Sequence, residues 1–172
     1  MLVLSLDINN NKQIIMTSSQ LTLEAAQNAI LAGKAFVTFL NTQTEKRFTY
    51  RITQIKDRAT GQKLERWFVS VLTGSNNESS YRYIGWINNN FVFKHTATSK
   101  INASAQSVKA FENVFGRIVN QQPHDFLQIW HEGKCLCCGK KLTVPESIAT
   151  GLGPICASVQ YISASRFKSL AK

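Results

Sequence analysis

The chain has 172 residues, and its 20 Lys and Arg against 10 Asp and Glu give a net charge of +10 and a pI near 9.7. That length buries one sizeable core with at most a small appended module. The 44% hydrophobic content is that of a globular chain, and no apolar run approaches the roughly 18 residues of a membrane span.

The opening Met1-Leu-Val-Leu-Ser-Leu6 has no basic leader and runs into Asp7 and an Asn-rich turn. It reads as a strand and not as a signal peptide. Ser19 or Thr22 then caps a helix through about Ala32, whose apolar side is Leu21, Leu23, Ala26, Ile30 and Leu31, with Gly33 as its stop. The period changes after that. Residues 36–40, 47–55, 66–72, 81–87 and 91–94 read as successive strands joined by polar or Gly-containing turns, with Asn88-Asn-Asn90 a tight hairpin. About five strands with short connections imply an antiparallel meander, strongly curved or partly closed, or an open sheet with helices on one face. Ser104 or Ser107 starts a second helix with one apolar stripe, Val108, Phe111, Val114, Phe115 and Ile118, laid across the sheet. Gln121-Gln-Pro123 ends it, residues 126–131 lead into a Cys-rich segment, and 154 to about 170 is a last helix. The expected class is α+β, with residues 1–122 as the main domain and 123–172 as a zinc module.

The chemistry is concentrated in that module. Cys135 and Cys138 stand in C-x-x-C register with Gly139 directly after them, the spacing that lets two thiolates turn onto one tetrahedral ion. Downstream, Gly151-Leu-Gly153-Pro154-Ile-Cys156 permits a sharp bend, starts a helix on Pro154 and puts Cys156 in its first turn, where a thiolate is favoured. Knuckle, short segment and ligand-bearing helix together describe a treble-clef or ribbon-like structural zinc site. His131, four residues before Cys135, is the nearest candidate for the fourth position; Cys137 is the competing one. Disulfides are disfavoured, since adjacent Cys137 and Cys138 pair poorly and nothing suggests export. The expected location is the cytoplasm, where thiols stay reduced.

The stretch from Trp130 to Cys156 resembles the Cys-rich signature of small uncharacterised proteins of bacteriophages and some bacteria. Phe48-Thr-Tyr-Arg51, Trp67-Phe-Val-Ser-Val-Leu-Thr-Gly74, Asn77-Glu-Ser79 and Tyr83-Ile-Gly85 extend the likeness upstream. The resemblance implies a phage or bacterial cytoplasmic origin and zinc on Cys135, Cys138 and Cys156. It implies no activity.

Charge supplies the functional expectation. Residues 46–66 hold Lys46, Arg47, Arg51, Lys56, Arg58, Lys63 and Arg66 against Asp57 and Glu65; seven minus two is five, half the net charge. Strand alternation puts Phe48, Tyr50 and Ile52 on one face and Thr49, Arg51 and Thr53 on the other; on 81–87, Tyr81, Tyr83 and Gly85 oppose Arg82, Ile84 and Trp86. Tyr50 and Tyr83 are therefore candidate stacking residues beside phosphate-binding cations, a pairing suited to single-stranded nucleic acid, although strands favour aromatics for packing alone. No phosphate loop, H-E-x-x-H or triad order is present. His131-Glu132 differs from the zinc-deaminase signature in spacing, and a Cys3His site has no open position for an activated water. The expectation is a non-enzymatic nucleic-acid-binding protein, DNA ahead of RNA. The alternatives are a phage factor that binds host transcription, replication or defence machinery, or a small accessory enzyme.

Overall fold

The computed structural model describes residues 19–143 and 145–159. The expected strand over residues 1–6, and the last helix beyond 159, lie outside the described residues. Seven strands form one antiparallel sheet: β1 (Gln20–Leu21), β2 (Lys34–Asn41), β3 (Arg47–Lys56), β4 (Lys63–Leu72), β5 (Tyr81–Ile87), β6 (Phe93–His95) and β7 (Leu127–His131). Their spatial order is β1-β7-β2-β3-β4-β5-β6. Among the described residues, helices α1 (Leu23–Ile30), α2 (Gln106–Val119) and α3 (Pro145–Thr150) accompany the sheet, and residues 154–159 are helical. The class is α+β. Among the described residues the sheet is open, with β1 and β6 at its edges, so the partly closed variant of the meander is corrected.

The meander over β2–β6 follows the period-2 pattern. β7 was not expected: Leu127-Gln-Ile-Trp-His is five residues long and sits far from its partners in sequence, yet it lies between β1 and β2 with Phe39 opposite Ile129. It carries the chain from the sheet directly into the Cys-rich segment, whose Leu136, Leu142 and Leu152 share the main core. At the other edge, Phe91 takes φ 56° and belongs to the turn, not to β6. Asn88 Oδ1 organises that turn, accepting from the backbone N–H of Asn90 at 3.0 Å and of Val92 at 2.9 Å.

One sheet face is covered. Val37 and Phe39 of β2, Tyr50 and Ile52 of β3, Trp67, Val69 and Val71 of β4, and Ile87 of β5 are buried with Val108, Phe111, Phe115 and Ile118 of α2. Phe111 is the hub, with ring centroids 4.9 Å from both Tyr50 and Phe93 and 5.9 Å from Phe39. α1 starts as expected at Thr22, whose hydroxyl accepts from Ala25 N–H at 3.2 Å, and its end is pinned by the Trp67 indole, which donates to Leu31 C=O at 3.0 Å. α2 begins beside the expected serines, with Ala105 at its N-cap position and no side-chain cap, so its buried stripe and not its capping holds it.

Tyr50 must be corrected here. It is 0% exposed, its hydroxyl donates to Ser107 C=O at 2.7 Å, and burial raises its phenol pKa far above the usual range. The alternation of β3 was right, but the face holding Tyr50 is the core face, so its ring is closed to any ligand. The opposite face of the sheet carries Phe36, Arg51, Phe68 and Tyr83, half-buried or exposed.

Candidate metal centre and basic sheet face

The Cys-rich segment is built on backbone turns. Lys134 and Lys141 form an antiparallel bridge, and Cys135 N–H donates to Lys140 C=O at 2.8 Å while Gly139 N–H donates to Cys135 C=O at 2.8 Å. Gly139, at φ 79°, closes this knuckle in a conformation that side chains rarely adopt. Two bonds tie it to the fold: Lys34 N–H to Leu136 C=O at 2.8 Å and Leu136 N–H to Gly151 C=O at 2.9 Å. Gly151 has φ 72°, and a Cβ there would stand 3.2 Å from Leu136 Cδ1.

These turns bring the Sγ atoms of Cys135, Cys138 and Cys156 within 4.8 Å of one another. Tetrahedral thiolates at a Zn–S distance of about 2.3 Å lie ~3.8 Å apart, so three corners of a tetrahedral site are in place and could hold a metal ion. Burial opposes ionisation of Cys135, but hydrogen bonding from the Gly153, Cys138 and Cys137 N–H groups and the Cys138 thiol outweighs it and lowers its pKa to about 7. The Gly153 bond is 3.4 Å. Burial pushes the Cys156 thiol up, as do its bonds with the Cys138, Cys137 and Cys135 thiols and the negative charge on Cys135.

His131 is not at this triangle. Its Nε2 lies 2.7 Å from Ile148 C=O and its Nδ1 accepts from Gly133 N–H at 3.1 Å, which fixes the tautomer with the proton on Nε2. Both nitrogens are committed to bracing the module, with α3 on one side and the turn after β7 on the other. The structure therefore brings three of the four expected ligands together and leaves His131 outside that group. Cys137, half-buried, is the remaining cysteine of the segment and stays the competing candidate for the fourth position.

The open face of the sheet forms a groove of about 830 Å³ whose cations are Lys34, Arg51, Lys56 and Lys63, and whose rings are Phe36, Phe68 and Tyr83. No carboxylate is among the described residues lining it, and Cys137 is among those that do, so groove and Cys-rich segment adjoin. Phe68 is 47% exposed and meets Tyr83 edge-on at 5.5 Å. Arg51 lies 4.9 Å from the Tyr81 ring centroid, and Arg66 lies 4.6 Å from that of Trp86, just outside the groove. A register shift between Val69 and Ser70 sets Tyr83 opposite Ser70 but Gly85 opposite Val69, which separates two residues that simple alternation puts on one face.

The remaining expected cations are dispersed. Arg58 is in the hairpin turn between β3 and β4, where Asp57 accepts from Ala59 and Thr60 N–H at 2.9 and 2.8 Å. The Thr60 N–H, then its hydroxyl and the Ala59 N–H, lower the Asp57 pKa. Arg47 is at the far end of β3, opposite Leu40, and Lys46 lines a different cavity beside α2. Lys34, Phe36 and Phe68 escaped the sequence reading: Lys34 lies outside the 46–66 charge run, and either ring could have been core. Strand parity relative to Arg51 was the one signal that could have found them.

A family of unknown function, DUF6011, matches residues 130–161, a stretch that includes the end of β7, the knuckle, α3 and Cys156. No curated protein and no solved structure matches the chain. Among the described residues, no helix is long and apolar enough to cross a membrane.

Proposed function

We propose that this is a zinc-containing, phage-type nucleic-acid-binding protein that holds a single strand, DNA ahead of RNA, on the open face of its sheet. The groove carries the reading: four cations and three rings share one surface with no lining carboxylate among the described residues. Phosphates would be met by Lys34, Arg51, Lys56 and Lys63, and bases would stack on Phe68 and Tyr83, each contributing about 1–3 kcal/mol. A duplex buries its base faces and offers nothing to these rings, which is why a single strand is the better fit. The role is binding and not catalysis.

Zinc suits a site of three thiolates better than the hard cations that prefer oxygen donors. Its role is structural: it would fix Cys156, and with it the segment that follows, against the knuckle beside the groove. The resemblance to phage proteins supports a bacterial host cytoplasm as the place where it acts.

Fluorescence anisotropy with labelled oligothymidylate and with a labelled duplex, at low and moderate salt, tests the reading. The single strand should bind more tightly, and its affinity should fall log-linearly with salt, with a slope of roughly −0.7 per phosphate engaged. Absence of binding to any strand at low salt would overturn it and turn the groove toward an acidic surface of a host protein.

A further inference from the structure

The helix-bearing side of the sheet holds a cavity that the groove does not explain. It lies between α2 and the ends of β2 and β3 and encloses about 360 Å³, within the range of ~300–1,000 Å³ common for small-molecule sites. Phe39, Phe48, Val114 and Leu127 supply its apolar lining. Phe39 is buried, whereas Phe48, Val114 and Leu127 are only half-buried, so apolar carbon here faces solvent.

Cations stand on both walls. Lys46, at the entry to β3, faces Lys109 and Arg117 on α2, and no Asp or Glu is among the described lining residues. Lys109 pairs with Glu112 at 3.4 Å, but both side chains are more than half exposed, so the pair is screened and does little to neutralise the mouth. Arg117 is half-buried, and its Nε donates to Asn113 Oδ1 at 3.0 Å, with Asn113 itself lining the cavity; that bond orients the guanidinium at the rim.

We propose that this cavity binds a small amphiphile with an aliphatic or aromatic body and one oxyanion head. The body would cover Phe48, Val114 and Leu127, and the head would lie between Arg117 and Lys46. A neutral apolar ligand would desolvate the cations without replacing their water, which costs free energy. A planar guanidinium instead pairs two N–H groups with a carboxylate or phosphate. The site is independent of the groove and of its ligand.

The test is a two-dimensional amide NMR titration of the full chain with decanoate, decyl phosphate and decanol. Both anions should saturate with shifts centred on residues 39–48, 106–117 and 124–127, and decanol should bind about tenfold more weakly. The tighter of the two anions identifies the head. Arg117→Gln should weaken the anions about five- to tenfold and leave decanol unchanged, and Val114→Trp, which fills the cavity, should abolish all three. Thermal unfolding identifies any variant that fails to fold, and in that event the anion–decanol comparison on the unaltered chain decides. Equal affinity for decanol and decanoate, unsaturable shifts, or undiminished binding by a folded Val114→Trp protein would overturn the proposal.

Discussion

Cys135 is buried, yet the Gly153 N–H donates to its sulfur at 3.4 Å and hydrogen bonding lowers its pKa to about 7, which eases the thiol toward the thiolate form that a metal takes up. A structural zinc ion supplies on the order of 10–16 kcal/mol of apparent binding free energy, enough to order a segment of this size. Purified protein should carry about one equivalent of zinc, and Cys135→Ser, Cys138→Ser and Cys156→Ser should each lose it. Metal analysis should find His131→Gln still loaded; loss of metal there would return the histidine to the ligand set. Cys137→Ser divides the remaining possibilities, since retention assigns the fourth position to water or another group and loss assigns it to Cys137. His131 has its own pH signature. Burial lowers its pKa, and the bond to Ile148 and the charge of Glu132 oppose that without reversing it. A depressed folded-state pKa means that the neutral ring stabilises the fold above the unfolded value of about 6.5, and that this contribution is lost as pH falls through the folded value. The gap in urea midpoint between the parent and His131→Gln should therefore shrink between about pH 7.5 and pH 5; a constant gap would show that its protonation is not linked to folding. The cysteines were legible because a knuckle is a local object, defined by three-residue spacing and a glycine. The histidine was not, because its partners, Ile148 and Gly133, are supplied by the way α3 closes over β7.

Strands show the same division between local and tertiary information. Alternation on β3 correctly separated Tyr50 from Arg51, but it could not say which face α2 would cover, and Tyr50 lies on the covered one. The decision was made elsewhere, by the stripe of α2 that puts Phe111 against Tyr50. β7 was missed for a related reason: five residues carry too little period to stand out, and its neighbours β1 and β2 lie more than eighty residues earlier in the chain. β2 to β5 were legible because each is long and bounded by turn residues. The register shift in β5 has a consequence of its own, since it leaves Gly85 between Val69 and His95, on the crowded side of the edge strand. A Cβ at Gly85 would run into the Lys94 carbonyl oxygen and come within 2.8 Å of the Phe93 ring. Backbone cannot rotate aside. Gly85→Ala should therefore destabilise the protein by about 1–3 kcal/mol, read as a lower urea midpoint at unchanged slope. A neutral result would mean that β6 separates from β5 at little cost.

At the scale of the molecule, helices cover one face of a seven-stranded sheet and, among the described residues, leave the other uncovered, with the Cys-rich segment seated at the border of that open face. A sheet with only one buried face normally presents polar side chains to water; this one presents Phe36, Phe68 and Tyr83 among lysines and Arg51. Such rings cost solubility unless something covers them, and under the proposed reading the cations beside them would select an anionic partner. The two kinds of residue should be separable by experiment. Neutralising Arg51 and Lys56 should weaken single-strand binding across all base compositions and make the salt slope shallower by roughly 0.7 for each phosphate that is no longer neutralised. Phe68→Ala should cost about 1–3 kcal/mol of binding with the slope unchanged, because a stacked base releases no counterion. Phe68 is exposed, so its loss should leave the melting temperature nearly intact, whereas Tyr50→Ala, which empties a core position, should lower it sharply. Measured together, anisotropy and thermal unfolding distinguish a stacking ring from a packing ring. If Phe68→Ala binds as tightly as the parent while the charge variants do not, the groove recognises charge alone, and stacking drops out of the mechanism.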